Sequence, residues 1–329
     1  MTDVQTGRAS WRRAIAAGIA GFAVVIGACA AKASFPDWAY PGDGDAPAPT
    51  ASQLAEKVTV PRSDQSFPVS RLSDFHNPVA DWFPKDHPAA PDIVMAPKGS
   101  VAACGYCHLP GGEGRPENAS LAGLPYDYIK TQIAAFRSGD RNGAKPDWVP
   151  TALMIQEAKG VSDADLNAAA DYFSKLPYQS RFTVIETAEV NAPVAGGFLL
   201  SPGKGPKEPL GTRILEAANA PDLFEHRDPQ VTFTAYVPVG AIARGKALAL
   251  SGGPSQQPCS ACHGGDLRGG EGLPGPPLAG RGPVYLFRQL YAFHTGARKG
   301  PAAEPMRAET EDLTEANMVD LAAYLASLR

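Results

Sequence analysis

The pentapeptide "CGYCH" at residues 104–108 sets two cysteines and a histidine within about one helical turn. Three chemistries use a C-x-x-C pair: a dithiol redox centre, half of a zinc site, and the two attachment points of a covalently held haem. The histidine that follows at once favours the third. Cys104 and Cys107 would form thioethers with the haem vinyl groups, and His108 would present its imidazole to the iron. A dithiol does not need His108, and a tetrahedral zinc ion needs a second ligand pair nearby, which the segment lacks. "CSACH" at 259–263 repeats the arrangement with Cys259, Cys262 and His263. The chain has five cysteines, four of them in these two motifs, and the fifth is Cys29. The plainer alternative for the four is two disulfides or two structural zinc knuckles.

Arg8, Arg12 and Arg13 precede an apolar run from Ala14 to Ala31, followed by "AKA" ending at Ala33. This is the layout of a secretory signal peptide over residues 1–33, with cleavage after Ala33. Two variants stay open: a lipoprotein-type cut at Cys29, and retention of the run as a membrane anchor. Export to the periplasm agrees with covalent haem attachment. The full chain carries a net charge of −4, and loss of the basic leader makes the remainder more acidic, which argues against a nucleic-acid partner.

At 329 residues the chain has room for about two domains. An internal repeat says what they are. "LAGLPYDYIKTQIAAFRSGDRNG" (121–143) aligns with "LAGRGPVYLFRQLYAFHTGARKG" (278–300), matching Tyr128 to Tyr285, Gln132 to Gln289, Phe136 to Phe293 and Arg141 to Arg298. Downstream, "VSDADLNAAADYFSKL" (161–176) aligns with "LTEANMVDLAAYLASL" (313–328). The pattern is a tandem duplication with one haem per copy. Ser162 and Thr314 read as helix N-caps, and Leu166, Ala169, Ala170 and Phe173, like Met318, Leu321, Ala322 and Leu325, fall on one buried helical face.

The predicted fold is mainly α, with a Pro-rich extension over 34–95, a first haem domain over 96–180, a β-containing segment over 181–240 and a second haem domain over 241–329. The start of the extension reads as a flexible tether or a wrapping segment. In the connecting segment, Val231, Phe233, Ala235 and Val237 alternate as a strand does, with "RFTVIET" as its candidate partner.

An iron with one histidine needs its opposite face filled, and what fills it separates carriers from catalysts. Met154 stands eight residues before Ser162 and Met306 eight before Thr314, in stretches that carry Pro150 and Pro305 and read as loops. Equivalent placement makes them the candidate sulfur ligands, the alternative being adaptable core packing. Met318 lies on the apolar helix face. Met95 has no counterpart in the second copy, and neither do His76, His87, His226 or His294, which read as bystanders.

These features resemble the class I cytochromes c, and among them the two-domain dihaem members of the cytochrome c-four type. The resemblance covers residues 100–176 and 241–329. It implies Cys104, Cys107, Cys259 and Cys262 as covalent anchors, His108 with Met154 and His263 with Met306 as axial pairs, and two haem c groups. It further implies transfer of electrons between redox proteins, a dehydrogenase or quinol-oxidising complex on one side and a terminal oxidase or other acceptor on the other. The competing expectation is a dihaem enzyme, such as a peroxidase or a thiosulfate-oxidising cytochrome. Two departures concern the first copy: Ala119 stands where the family has the proline matched by Pro276, and no clear helix precedes Cys104. Together they lead to the expectation of a looser, wetter first pocket with the lower potential.

Overall fold

The computed structural model describes residues 35–44, 48–253 and 255–329. The leader, Cys29 and the Ala33 cleavage point lie outside the described residues. Pro36–Arg329 group as one unit. Among the described residues no helix is long and apolar enough to cross a membrane.

The extension is ordered in short pieces. Thr50 caps α1 (Ala51–Ala55) in a reciprocal box with Gln53. Strands β1 (Lys57–Val58) and β2 (Phe67–Pro68) pair antiparallel ahead of α2 (Val69–Ser73) and α3 (Asp92–Met95). Val60, Leu72, Ala80 and Trp82 close into a small core of their own. Apolar side chains spaced among the prolines find a common centre at Trp82.

The first copy comprises α4 (Cys104–His108), α5 (Tyr126–Ser138), α6 (Val149–Gly160) and α7 (Asp163–Ser174). Ser162 accepts the Asp165 amide at 3.1 Å and starts α7, whose Leu166, Ala169, Ala170 and Phe173 are buried. Ile129, Ile133 and Phe136 of α5 join them in one core. Only the four-residue α3 precedes the motif.

The connecting segment holds β3 (Phe182–Glu186), β4 (Glu189–Gly196), β5 (Leu199–Pro209), β6 (Leu215–Ala218), α8 (Pro221–Glu225) and β7 (Phe233–Val237). β7 lies between β3, parallel to it, and β6, antiparallel to it. Phe233, Ala235 and Val237 point inward as their alternation requires. The hairpin β4–β5 carries Pro193, Pro202 and Pro209, with an irregularity between Asn191 and Pro193. A two-stranded ribbon with free outer edges tolerates these prolines.

The second copy comprises α9 (Ala241–Ser251), α10 (Ser260–His263), α11 (Pro283–His294), α12 (Glu304–Thr310) and α13 (Glu315–Ser327). α9 crosses α13 so closely that a Cβ at Gly245 would collide with the Asp320 carbonyl, and only glycine fits there. Arg244 locks the crossing with a two-point ion pair to Asp320 at 2.7 and 2.8 Å.

Candidate functional site

In the first copy, α4 is little more than the motif itself. His108 Nδ1 lies 2.8 Å from the Ala119 carbonyl oxygen. A carbonyl can only accept, so Nδ1 carries the proton and Nε2 keeps its lone pair for a metal. Burial lowers the pKa of His108, which holds the imidazole neutral as an iron ligand must be. Burial also pushes the Cys104 thiol up to about 12 and the Cys107 thiol up to about 11. A working dithiol needs the opposite shift, so the environment speaks against redox exchange at this pair. Among the described residues no group of three His, Cys, Asp or Glu is placed to hold a bare metal ion.

Cys104, Cys107 and His108 line a cavity of about 1030 Å³, with Met154, Leu166 and Phe173 among its other walls. A large apolar space against a neutral histidine and two neighbouring cysteines suits a covalently held porphyrin.

Met154 sits within α6 and Met306 within α12, so the two stretches read as loops are helices. Pro150 and Pro305 each occupy the first turn, where the missing amide is an orphan in any case and the fixed φ is already helical. Equivalence of the two methionines survives this change, since each stands on the helix that precedes the carboxy-terminal helix of its copy. Met318 is 1% exposed in the α13 core, as the apolar stripe implies.

The second copy repeats the histidine geometry: His263 Nδ1 is 2.8 Å from the Pro276 carbonyl, and burial lowers its pKa. A Cβ at Gly275 would lie 2.5 Å from that nitrogen, so the backbone itself walls the ring. Cys259 is half-buried and Cys262 exposed. Ala119 and Pro276 thus accept the same hydrogen bond at the same length. The carbonyl orients the ring, and proline is not needed to place it.

The copies meet through their equivalent helices. Arg141 Nη1 donates to Gln132 Oε1 of its own copy (2.7 Å), and its Nη2 to Gln289 Oε1 of the other (3.1 Å). Arg298 mirrors it, with 3.0 Å to Gln289 and 2.8 Å to Gln132. Their backbones form an antiparallel bridge. Burial and the neighbouring Arg141 push Arg298 down to about 10. No ion pair to either guanidinium occurs among the described residues. Buried cations are costly unless an anion completes them, and the carboxylate groups of a haem are anions of that kind.

Several contributors lie outside the segments that align between the copies. Trp148, held by its indole N–H to the Pro41 carbonyl (2.8 Å), Tyr40 and Phe198 line the first-copy cavity. Phe198 and Gly197 form the turn of the β4–β5 hairpin at positive φ, and Gly197 donates to the Asp43 carbonyl at 2.9 Å. His226 lines the cavity too, with its Nδ1 buried and without a hydrogen-bond partner. These residues have no counterpart in the other copy, so alignment of the repeats carries no signal for them.

The cytochrome c family model matches residues 98–177 and 242–329, together about half of the chain. The thiosulfate dehydrogenase electron acceptor of Thiomonas intermedia is 28% identical over 244 residues, which are 73% of this chain and 84% of that protein. Among solved structures, thiosulfate dehydrogenase (TsdBA) from Marichromatium purpuratum aligns with TM-score 0.46 and 27% identity, over 70% of this chain and 37% of that one. The chain therefore spans just over a third of that larger protein's length. Cytochrome c4 of Acidithiobacillus ferrooxidans aligns with TM-score 0.44 and 24% identity, over 68% of this chain and 98% of that one. With a haem-attachment pentapeptide at the head of each matched region, the chain belongs to the cytochrome c family, as a tandem of two such domains carrying two covalently bound haem c groups.

Proposed function

We propose that this protein is an exported dihaem electron carrier in which both irons are closed by protein ligands. Cys104 and Cys107, and Cys259 and Cys262, anchor the two groups. His108 with Met154, and His263 with Met306, would ligate the two irons. When bound, each haem supplies one-electron exchange, and a thioether ligand raises its potential. The histidines are held neutral and oriented by the Ala119 and Pro276 carbonyls. Arg141 and Arg298, cross-linked through Gln132 and Gln289, tie the two domains to one another.

The observation that carries this reading is the equivalence of Met154 and Met306, each one helix before the carboxy-terminal helix of its copy. A dihaem enzyme needs an exchangeable iron, and a sulfur ligand in both copies opposes that. The donor is a periplasmic dehydrogenase or a quinol-oxidising complex, and the acceptor a terminal oxidase or another redox protein. A relative whose name makes it the acceptor of thiosulfate dehydrogenase supports a sulfur-compound dehydrogenase as the donor.

The far-red band of methionine-to-ferric-iron ligation tests the assignment. About half of it is expected to go in Met154→Ala, half in Met306→Ala, and all of it in the double variant. Retention of the band in the double variant, or a high-spin spectrum with peroxide turnover in the unaltered protein, would overturn the carrier reading.

A further inference from the structure

β6 brings Glu216 into the interior, where it is 2% exposed. Its Oε1 accepts the Val284 amide at 3.0 Å, one of the orphan N–H groups in the first turn of α11. One turn on, Arg288 is buried as well. Its Nη1 donates to the Ala39 carbonyl (3.1 Å) and its Nη2 to the Pro116 carbonyl (2.5 Å), and the guanidinium lies over the Trp148 ring at 4.6 Å. No ion pair to Arg288 occurs among the described residues, since Glu117, the other acid of this region, is taken by Arg115 at 2.5 Å.

The groups that face Glu216 and Arg288 come from three parts of the chain: Arg288 and Tyr285 from α11, Glu117 from the loop after the first motif, and Tyr40 from the extension. Arg288, Tyr285, Glu117 and Tyr40 all line the first-copy cavity. A buried carboxyl therefore sits one charged side chain away from the first-copy cavity, behind a cation that makes no ion pair among the described residues. Burial works against its ionisation while the Val284 amide and Arg288 favour it, and the balance pushes Glu216 up to about 7.

We propose that Glu216 is a redox-linked proton-binding site, taking up a proton when the first-copy haem is reduced and releasing it on oxidation. This rests on the carrier reading above. With the haem bound and one electron supplied by the external donor, one proton from solvent would convert the Glu216 carboxylate to the carboxylic acid. The oxidative step returns both. The coupling follows from charge: the ferric group carries one more positive charge than the ferrous, so its reduction makes a nearby carboxylate a better proton acceptor. Proton uptake then keeps the buried charge around Arg288 constant.

Potentiometric titration of the holoprotein from pH 5.5 to 8.5 tests this. One of the two components should fall with pH, by at most about 59 mV per unit, the tenfold change in proton activity converted for one electron. In Glu216→Gln, whose side-chain oxygen can still accept the Val284 amide, that slope should vanish while both components remain. Glu113→Gln, which alters another buried acid of the first copy, should keep it. A reduced-minus-oxidised infrared spectrum should show a protonated-carboxyl band that Glu216→Gln lacks. Two pH-independent components in the unaltered protein, or a slope that survives Glu216→Gln, would overturn the proposal and leave the carrier reading standing. A high-spin spectrum with peroxide turnover in the unaltered protein would instead remove the reading on which it rests.

Discussion

The two motif loops have the same chemistry and opposite surroundings. In the first copy Gly105, Tyr106, Pro110, Arg115 and Glu117 are buried, whereas in the second Cys262, Asp266, Arg268, Glu271 and Leu273 are exposed. The difference is made by the rest of the chain. Val79 and the Val94 carbonyl press on Gly105 so tightly that no Cβ fits. Arg227 lies 3.7 Å over the Tyr106 ring and donates to its carbonyl at 2.7 Å. Arg115 lies against Phe224 at 3.8 Å, Arg181 bonds the carbonyls of Glu113 and Gly114, and the Tyr172 hydroxyl donates to the Pro110 carbonyl at 2.9 Å. Each copy carries one attachment motif, and the extension and insertion shelter only the first of the two motif loops.

This reverses the expectation of a looser first pocket. Its two premises were Ala119 and the missing helix before Cys104. The Ala119 carbonyl does what the Pro276 carbonyl does, and residues of the extension and the insertion cover the first motif loop. A sheltered haem with buried Arg115 and half-buried Arg181 and Arg227 around its motif is disfavoured in its more positive ferric form, so the first copy should hold the higher potential.

The largest effect that separates the copies is covalent. Cys107→Ser and Cys262→Ser should each remove one attachment and leave the other copy intact, read by mass and by haem stain on a denaturing gel. If either change emptied both copies, the domains would not mature independently. Next in size is the shelter itself. Arg227→Ala leaves the Leu72 and Tyr106 carbonyls without their donor and removes a stacked guanidinium, so chemical denaturation should show a loss of roughly 2–4 kcal/mol. Leu273→Ala on the bare loop should change stability by no more than about 0.5 kcal/mol. Equal effects at the two sites would erase the contrast.

A smaller, pH-dependent effect belongs to Glu216. Its folded-state pKa lies above the ordinary carboxyl value of 4.5, so the folded chain holds a proton that the unfolded chain has released between about 4.5 and 7. Stability relative to a neutral side chain is complete below 4.5 and falls as pH rises through 7. Glu216→Gln should therefore match the parent near pH 4.5 and exceed it by up to roughly 3 kcal/mol at pH 8. A constant difference across that range would mean that Glu216 titrates normally.

What could be read from the sequence was whatever it says twice. The motifs, the N-caps Ser162 and Thr314, the apolar faces of α7 and α13 and the paired methionines each had an internal control. β7 was legible for another reason, as its alternation is local. The shelter was not legible. Arg227 meets Tyr106 across 121 positions of chain, Arg288 meets Ala39 across 249, and neither contact has a local pattern. The β4–β5 hairpin was hidden by its glycines and prolines, which mark loops in most settings and here merely edge a ribbon. The helical state of Met154 and Met306 was hidden by the prolines that begin their helices.

The sheltering of one haem and not the other is tested most directly by potentiometric titration of the intact dihaem protein at one pH, with and without Met154→His and Met306→His. Two one-electron components are expected, with Met154→His moving the higher and Met306→His the lower. A single curve for both haems, or movement of the lower component by Met154→His, would contradict it.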